Sequence, residues 1–145
     1  MDKEFDAFIS YSSQDSDFVD QLTRILKSTG VKVWLDKDEL YPGVNWIEEL
    51  ERGIEQSQHM LLVVSPNSLN SPWANFEIGA ILSKFAHSPE TLIIPVLTQD
   101  VDVSLLPVFI KNRVFVNAAN MNLDELGSKI SQIFADSRSA HSQKN

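Results

Sequence analysis

The stretch HMLLVVS, residues 59–65, is apolar at every position from Met60 to Val64. A strand with one face in water alternates apolar and polar side chains, but this run does not. It reads as a strand covered on both faces, as in the buried centre of a parallel sheet. Such a strand constrains the rest of the chain, which must supply neighbouring strands on both sides and helices for both faces.

The remaining sequence meets that demand. FDAFISY, 5–11, reads as a first strand. A helical pattern follows, with Phe18, Val19, Leu22, Ile25 and Leu26 on one face. Ser13 or Asp15 can cap its start, and Gly30 stands where a helix end favours a left-handed residue. VKVWLD, 31–36, reads as a second strand, and KDELYPGVN, 37–45, as a turn-rich loop. WIEELERGIEQS is helical, with the stripe Trp46, Ile47, Leu50 and Ile54. The run 59–65 is the third strand, and a further helix extends to about Phe85. TLIIPVL, 91–97, and RVFVN, 113–117, are the fourth and fifth strands. Leu123, Leu126, Ile130, Ile133 and Phe134 mark a last helix, and the polar tail 136–145 is expected to fray. Alternating strands and helices imply parallel pairing through right-handed crossovers. The expected fold is α/β, a three-layer sandwich over residues 1–135 with a five-stranded parallel sheet in the flavodoxin-like order 2-1-3-4-5. Its ligand crevice would lie at the carboxyl ends of strands one and three.

Composition narrows the function classes. The chain has 145 residues, a formal net charge of −8 and scattered lysines and arginines, which argues against nucleic-acid binding. It has no cysteine, so disulfides, thiolate metal sites and cysteine nucleophiles are excluded. No apolar run approaches the roughly 20 residues of a membrane span. The N-terminus MDKEFDAFIS lacks a basic stretch followed by an apolar one, so no signal peptide is expected. These features fit a cytoplasmic protein without membrane attachment.

One acid stands out. In SPNSLNSPWANFEIGAIL, 65–82, Ser71 is a good N-cap, Pro72 fits the first helical turn, and Trp73 and Glu77 lie one turn apart on one face. The core stripe is Ala74, Ile78, Ile81, Leu82 and Phe85, and Glu77 falls about 90° from its centre. That position suits either a boundary glutamate or a functional acid beside the crevice.

Three blocks, FDAFISYSSQD, VWLDKDELYPGVNW and LLVVSPNSLNSPWANFEIGAIL, in this order and spacing, resemble the TIR (Toll/interleukin-1 receptor) domain family, in texture its bacterial members. The resemblance runs from about residue 5 to 134. Catalytic members cleave NAD⁺ at the nicotinamide–ribose bond with the glutamate of W-x-x-x-E. The resemblance therefore implies that Glu77 is the catalytic acid and that Trp73 shapes its pocket. NAD⁺ would be the substrate, with no cofactor and no metal. The products would be nicotinamide and ADP-ribose or a cyclic ADP-ribose-type signal, in antiviral defence and sensed by a downstream effector. It also implies self-association through the loop 37–45, which borders the pocket.

Other residues have two readings. Ser10, Tyr11, Ser12 and Ser13, at the end of strand one, can meet ribose or phosphate through hydroxyls and backbone amides. Alternatively, Phe8 there is core and Ser12 and Ser13 only start the helix. A eukaryotic axon-degeneration relative carries two arginines after the matching tyrosine, where this chain has serines, so its phosphate contacts do not transfer. Tyr41 is the contact residue expected of the loop, and Trp46 lies behind it, either in the pocket or in the core. Trp34 reads as core. His59, His87 and His141 match no catalytic pattern, and DKDE, 36–39, reads as a solvated loop rather than a cation site. A phospho-acceptor receiver would need an aspartate at the end of strand three, which ends instead in VVSP. The competing function is a non-catalytic TIR adaptor that acts by assembly alone.

Overall fold

The third strand does occupy the middle of the sheet. In a computed structural model, the described residues are 4–11, 13–35, 52–53, 55–66, 92–98, 101–102, 104, 106 and 115–143. The strands are β1 (Phe5–Ser10), β2 (Val33–Leu35), β3 (Ser57–Val64), β4 (Ile93–Leu97) and β5 (Val116–Asn117). They pair in parallel, in the order β2-β1-β3-β4-β5, as expected. Leu61 is flanked by Ile9 of β1 and Ile94 of β4. Met60 to Val64 are each no more than 1% exposed, so both faces of β3 are covered.

Two helices are described together with their ends, α1 (Ser16–Ser28) and α2 (Leu123–Gln143). Val19, Leu22 and Leu26 of α1 join Leu126, Ile130 and Phe134 of α2 in one core cluster. From the sheet, the same cluster takes Ala7, Ile9, Leu61, Val63, Ile94 and Val96, the alternate residues of three strands. Burying each such side chain contributes about 1.5–3 kcal/mol. The opposite face carries Phe8, Met60, Leu62 and Val64, also buried. Arg52, Gly53, Glu55 and Gln56 are helical, and the Phe8 ring packs against Gly53 on that face.

That contact yields a stability prediction. On an exposed helix, Gly→Ala stabilises by about 1 kcal/mol. Here a Cβ on Gly53 would lie 2.5 Å from Cδ2 of Phe8, a ring that is itself 2% exposed. Gly53→Ala is therefore expected to destabilise by about 1–3 kcal/mol. Urea unfolding measures it, and an unchanged or raised midpoint would contradict the packing argument.

Several element limits differ from the sequence reading for local reasons. α1 ends in a Schellman motif: Val31 N–H donates to the Leu26 carbonyl and Gly30 N–H to that of Lys27, each at 3.1 Å. Gly30 has φ +91°, the left-handed conformation expected of it. Val31 thus belongs to the helix cap, and β2 begins only at Val33. Trp34 is half-buried rather than fully in the core; it stacks on Phe5 at 5.8 Å and tilts against Phe8 at 5.4 Å. β3 starts two residues before His59, because Ser57 pairs with Phe5. α2 continues to Gln143, so most of the tail read as frayed is helical. A Gln132–Asp136 side-chain bond of 2.8 Å supports its polar face.

Two residues in the sheet look misplaced until their partners are seen. Pro95 sits inside β4, where a proline removes a ladder donor. Leu92 and Thr98 bond to β3 and Leu97 bonds toward β5, so alternation turns the Pro95 nitrogen toward β5. The described β4–β5 ladder begins only at Val96↔Val116, one residue further on. No ladder bond described there is lost. His59 is 4% exposed, and its Nδ1 accepts the Leu92 N–H at 3.0 Å. Its ring stacks on Phe134 of α2, 4.7 Å apart and 12° from parallel. An accepting Nδ1 makes this the neutral imidazole. His59 is structural, joining β3, β4 and α2.

Candidate functional site

The topological switch point lies where β1 and β3, adjacent in space, lead on to opposite sides of the sheet, β1 to β2 and β3 to β4. β1 ends at Ser10, which is level with Leu62, and β3 runs on to Val64 and then Ser65. The chain leaving β1 forms a 3-10 turn, Ser13–Asp15, directly before α1. The chain leaving β3 passes Ser65 and Pro66 toward the segment that holds Trp73 and Glu77 in sequence.

The side chains at this end are divided by strand alternation. Ser10 is 5% exposed and shares the face of Phe8. Tyr11 is also 5% exposed, but its ring joins the opposite core with Ile9, Val19 and Leu22. Ser13 opens the 3-10 turn. Ser10 and Tyr11 therefore meet at one strand end but face opposite sides of the sheet. Ser12, Tyr41, Trp46, Trp73 and Glu77 lie outside the described residues, as does the whole loop 37–45. Among the described residues, no group of three or more histidine, cysteine, aspartate or glutamate side chains could hold a metal ion. No helix among them is long and apolar enough to cross a membrane.

One contact at the switch point was not foreseen. The Ser65 hydroxyl donates to the Asp15 carboxylate at 2.5 Å, joining residues fifty apart in sequence. Ser65 is 1% exposed, so its hydroxyl needs a protein acceptor. Asp15 stands at the N-cap of α1, with φ −102° and ψ 14°, yet makes no side-chain capping bond. The capping role read from sequence is thus not the one Asp15 performs. It gives up about 1 kcal/mol of capping and makes a short hydrogen bond to a carboxylate instead. Its charge still faces the positive end of the helix dipole. The contact was hidden because each partner had a sufficient local reading, Asp15 as a cap and Ser65 as a strand end.

The open hollows described in the molecule lie elsewhere. One, of about 370 Å³, is lined by Thr29, Ser131 and Gln132, among others, where α1 ends beside α2. The other, of about 420 Å³, is bordered by Phe5, Lys27 and Lys32. Phe5 and Val33 begin β1 and β2, so the second hollow sits at the amino ends of the strands. Thr29 and Ser131 hydroxyls satisfy each other at 2.7 Å.

Comparison with known proteins bears on the same architecture. A family model of the TIR domain matches residues 7–133. A protein of Methanobrevibacter olleyae named probable 2′ cyclic ADP-D-ribose synthase is 34% identical over 96 residues, 66% of this chain and 28% of that one. An NAD(+) hydrolase of Staphylococcus aureus is 26% identical over 138 residues, 93% of this chain and 49% of that one. The chain thus spans half or less of the length of these two relatives. A metazoan TIR-STING receptor from C. gigas, solved with 2′,3′-cGAMP, superposes with a TM-score of 0.70 at 24% identity, over 89% of this chain and 40% of the receptor. That likeness concerns the fold alone. With the sheet order, the switch point and a family match across nearly its whole length, the chain belongs to the TIR domain family.

Proposed function

We propose that this chain is an NAD⁺-cleaving TIR domain, with Glu77 as its catalytic carboxylate. The observation that carries the reading is W-x-x-x-E, Trp73 to Glu77, in the segment that leaves β3 at the switch point of the sheet. Relatives named for NAD⁺ hydrolysis and cyclic ADP-ribose synthesis support it. In this chemistry the bond between ribose C1 and the nicotinamide nitrogen breaks, and the electron pair leaves with nicotinamide. The leaving group is neutral and needs no general acid. C1 acquires oxocarbenium character, which a fixed carboxylate stabilises. Water at C1 then gives ADP-ribose, or a nucleophilic atom of the same molecule closes a ring, and in either case the nucleophile's proton is released. Glu77 would also hold the ribose hydroxyls, with Trp73, Ser10, Ser12 and Ser13 around the nucleotide and Tyr11 contributing through its backbone. A cytoplasmic role in antiviral defence, through a nucleotide signal to a downstream effector, is part of this proposal.

Self-association through the loop 37–45 completes the pocket in this reading, with Tyr41 and Trp46 contributing from the loop and behind it. The test is nicotinamide release from NAD⁺ across a range of protein concentrations, with product mass read in parallel. Specific activity is expected to rise with concentration. Tyr41→Ala is expected to lower it by about tenfold or more, as misplacement of substrate does. Equal activity per molecule for dilute and assembled protein would refute the assembly requirement. No release even from protein clustered on a surface would refute the enzyme and leave the adaptor.

A further inference from the structure

We infer that Asp15 and Ser65 act as a paired positioning element for the reaction proposed above, on which this inference rests. Neither residue touches substrate in this account. Their hydrogen bond ties the turn Ser13–Asp15 to the chain that leaves β3 and leads on in sequence to Trp73 and Glu77. These are the two segments between which a ligand at the switch point must fit.

Three features make the bond more than a local stabiliser. First, it crosses the point where the chain connections diverge. The β1–β3 ladder runs from Phe5↔Ser57 to Ser10↔Leu62, and Ser65 lies three residues past its last pair. Beyond that pair, the Asp15–Ser65 bond joins the two exits. Second, it is short and its donor is 1% exposed, so water competes poorly for it. Third, Asp15 makes no capping bond to the helix it heads, although it occupies the capping position. The carboxylate instead reaches the exit of β3.

A fixed distance between the two exits matters because catalysis depends on where the carboxylate stands relative to ribose C1. Misplacement of about 1 Å can cost on the order of a hundredfold in rate. The bond would therefore act on turnover more than on ground-state binding.

The test compares wild type, Ser65→Ala, Asp15→Ala, the double variant and Ser65→Thr, all at one concentration that supports wild-type activity. Nicotinamide release gives kcat and KM, and circular dichroism gives the folded fraction. Ser65→Ala and Asp15→Ala are each expected to lower kcat per folded molecule by about tenfold or more, with KM changed by less than about threefold. The double variant is expected to be no worse than the poorer single one, because the two side chains act as one unit. Ser65→Thr, which keeps the hydroxyl, is expected to recover most of kcat. Unchanged kcat per folded molecule in the single variants, or additive losses in the double, would overturn the inference and leave the NAD⁺ reading intact. Absence of release from wild type would overturn that reading, and this inference with it.

Discussion

Glu77→Gln and Glu77→Ala are both expected to lose nicotinamide release by a factor on the order of 10²–10³, the range for removing one fixed electrostatic stabiliser. The two substitutions separate charge from orientation. Gln keeps the shape and can still hydrogen-bond a ribose hydroxyl, but it carries no negative charge to oppose the developing oxocarbenium ion. Ala removes both. If charge dominates, the two variants fall together in kcat, and Glu77→Gln keeps a KM near that of wild type. If orientation dominates, Glu77→Gln retains a substantial share of turnover that Glu77→Ala does not. Wild-type turnover in both variants would return Glu77 to a boundary residue of its helix. Product mass from the wild type separates hydrolysis from cyclisation in the same experiment.

Phe8→Ala is expected to produce the largest loss of stability among single substitutions at the strand end, about 3–5 kcal/mol. The ring is 2% exposed, packs against Trp34 at 5.4 Å and fills the space that Gly53 leaves open. Total stabilities of about 5–15 kcal/mol make such a loss a large share of the whole. The thermal midpoint should fall by roughly 10 °C or more. The same substitution tests the core reading of Phe8. As core, it changes the amount of folded protein but not turnover per folded molecule. A variant of normal stability with impaired turnover would place Phe8 in the crevice wall instead.

The sheet was legible because its strands are written as apolar runs. Met60 to Val64 read as a doubly covered strand, and Ile9, Leu61 and Ile94 do lie side by side in the sheet. Limits were less legible, because apolar character has more than one cause. Val31 is buried as part of the α1 cap and was counted as strand. Ser57 is in the strand although polar, because backbone pairing with β1 does not require an apolar side chain. The helical run past Ala135 carries no apolar stripe, and periodicity alone could not extend it. Of the site, the switch point followed from strand order. The Asp15–Ser65 bond did not, since no local pattern links residues fifty apart. The capping reading of Asp15 was chemically sound, but the buried Ser65 hydroxyl just past β3 takes up the carboxylate instead.

Among the described residues, the outer strands of the sheet are short, three residues in β2 and two in β5. A foreign strand laid along either one would find few backbone partners, and the strong right-handed twist of short ladders would soon carry it away. Fibre-like growth by strand addition therefore has little template here. A chain that must gather into clusters to work, as proposed, can be crowded at high local concentration without its sheets fusing. In that proposal, contacts with other copies fall to loops and helix surfaces, where they can form and dissolve.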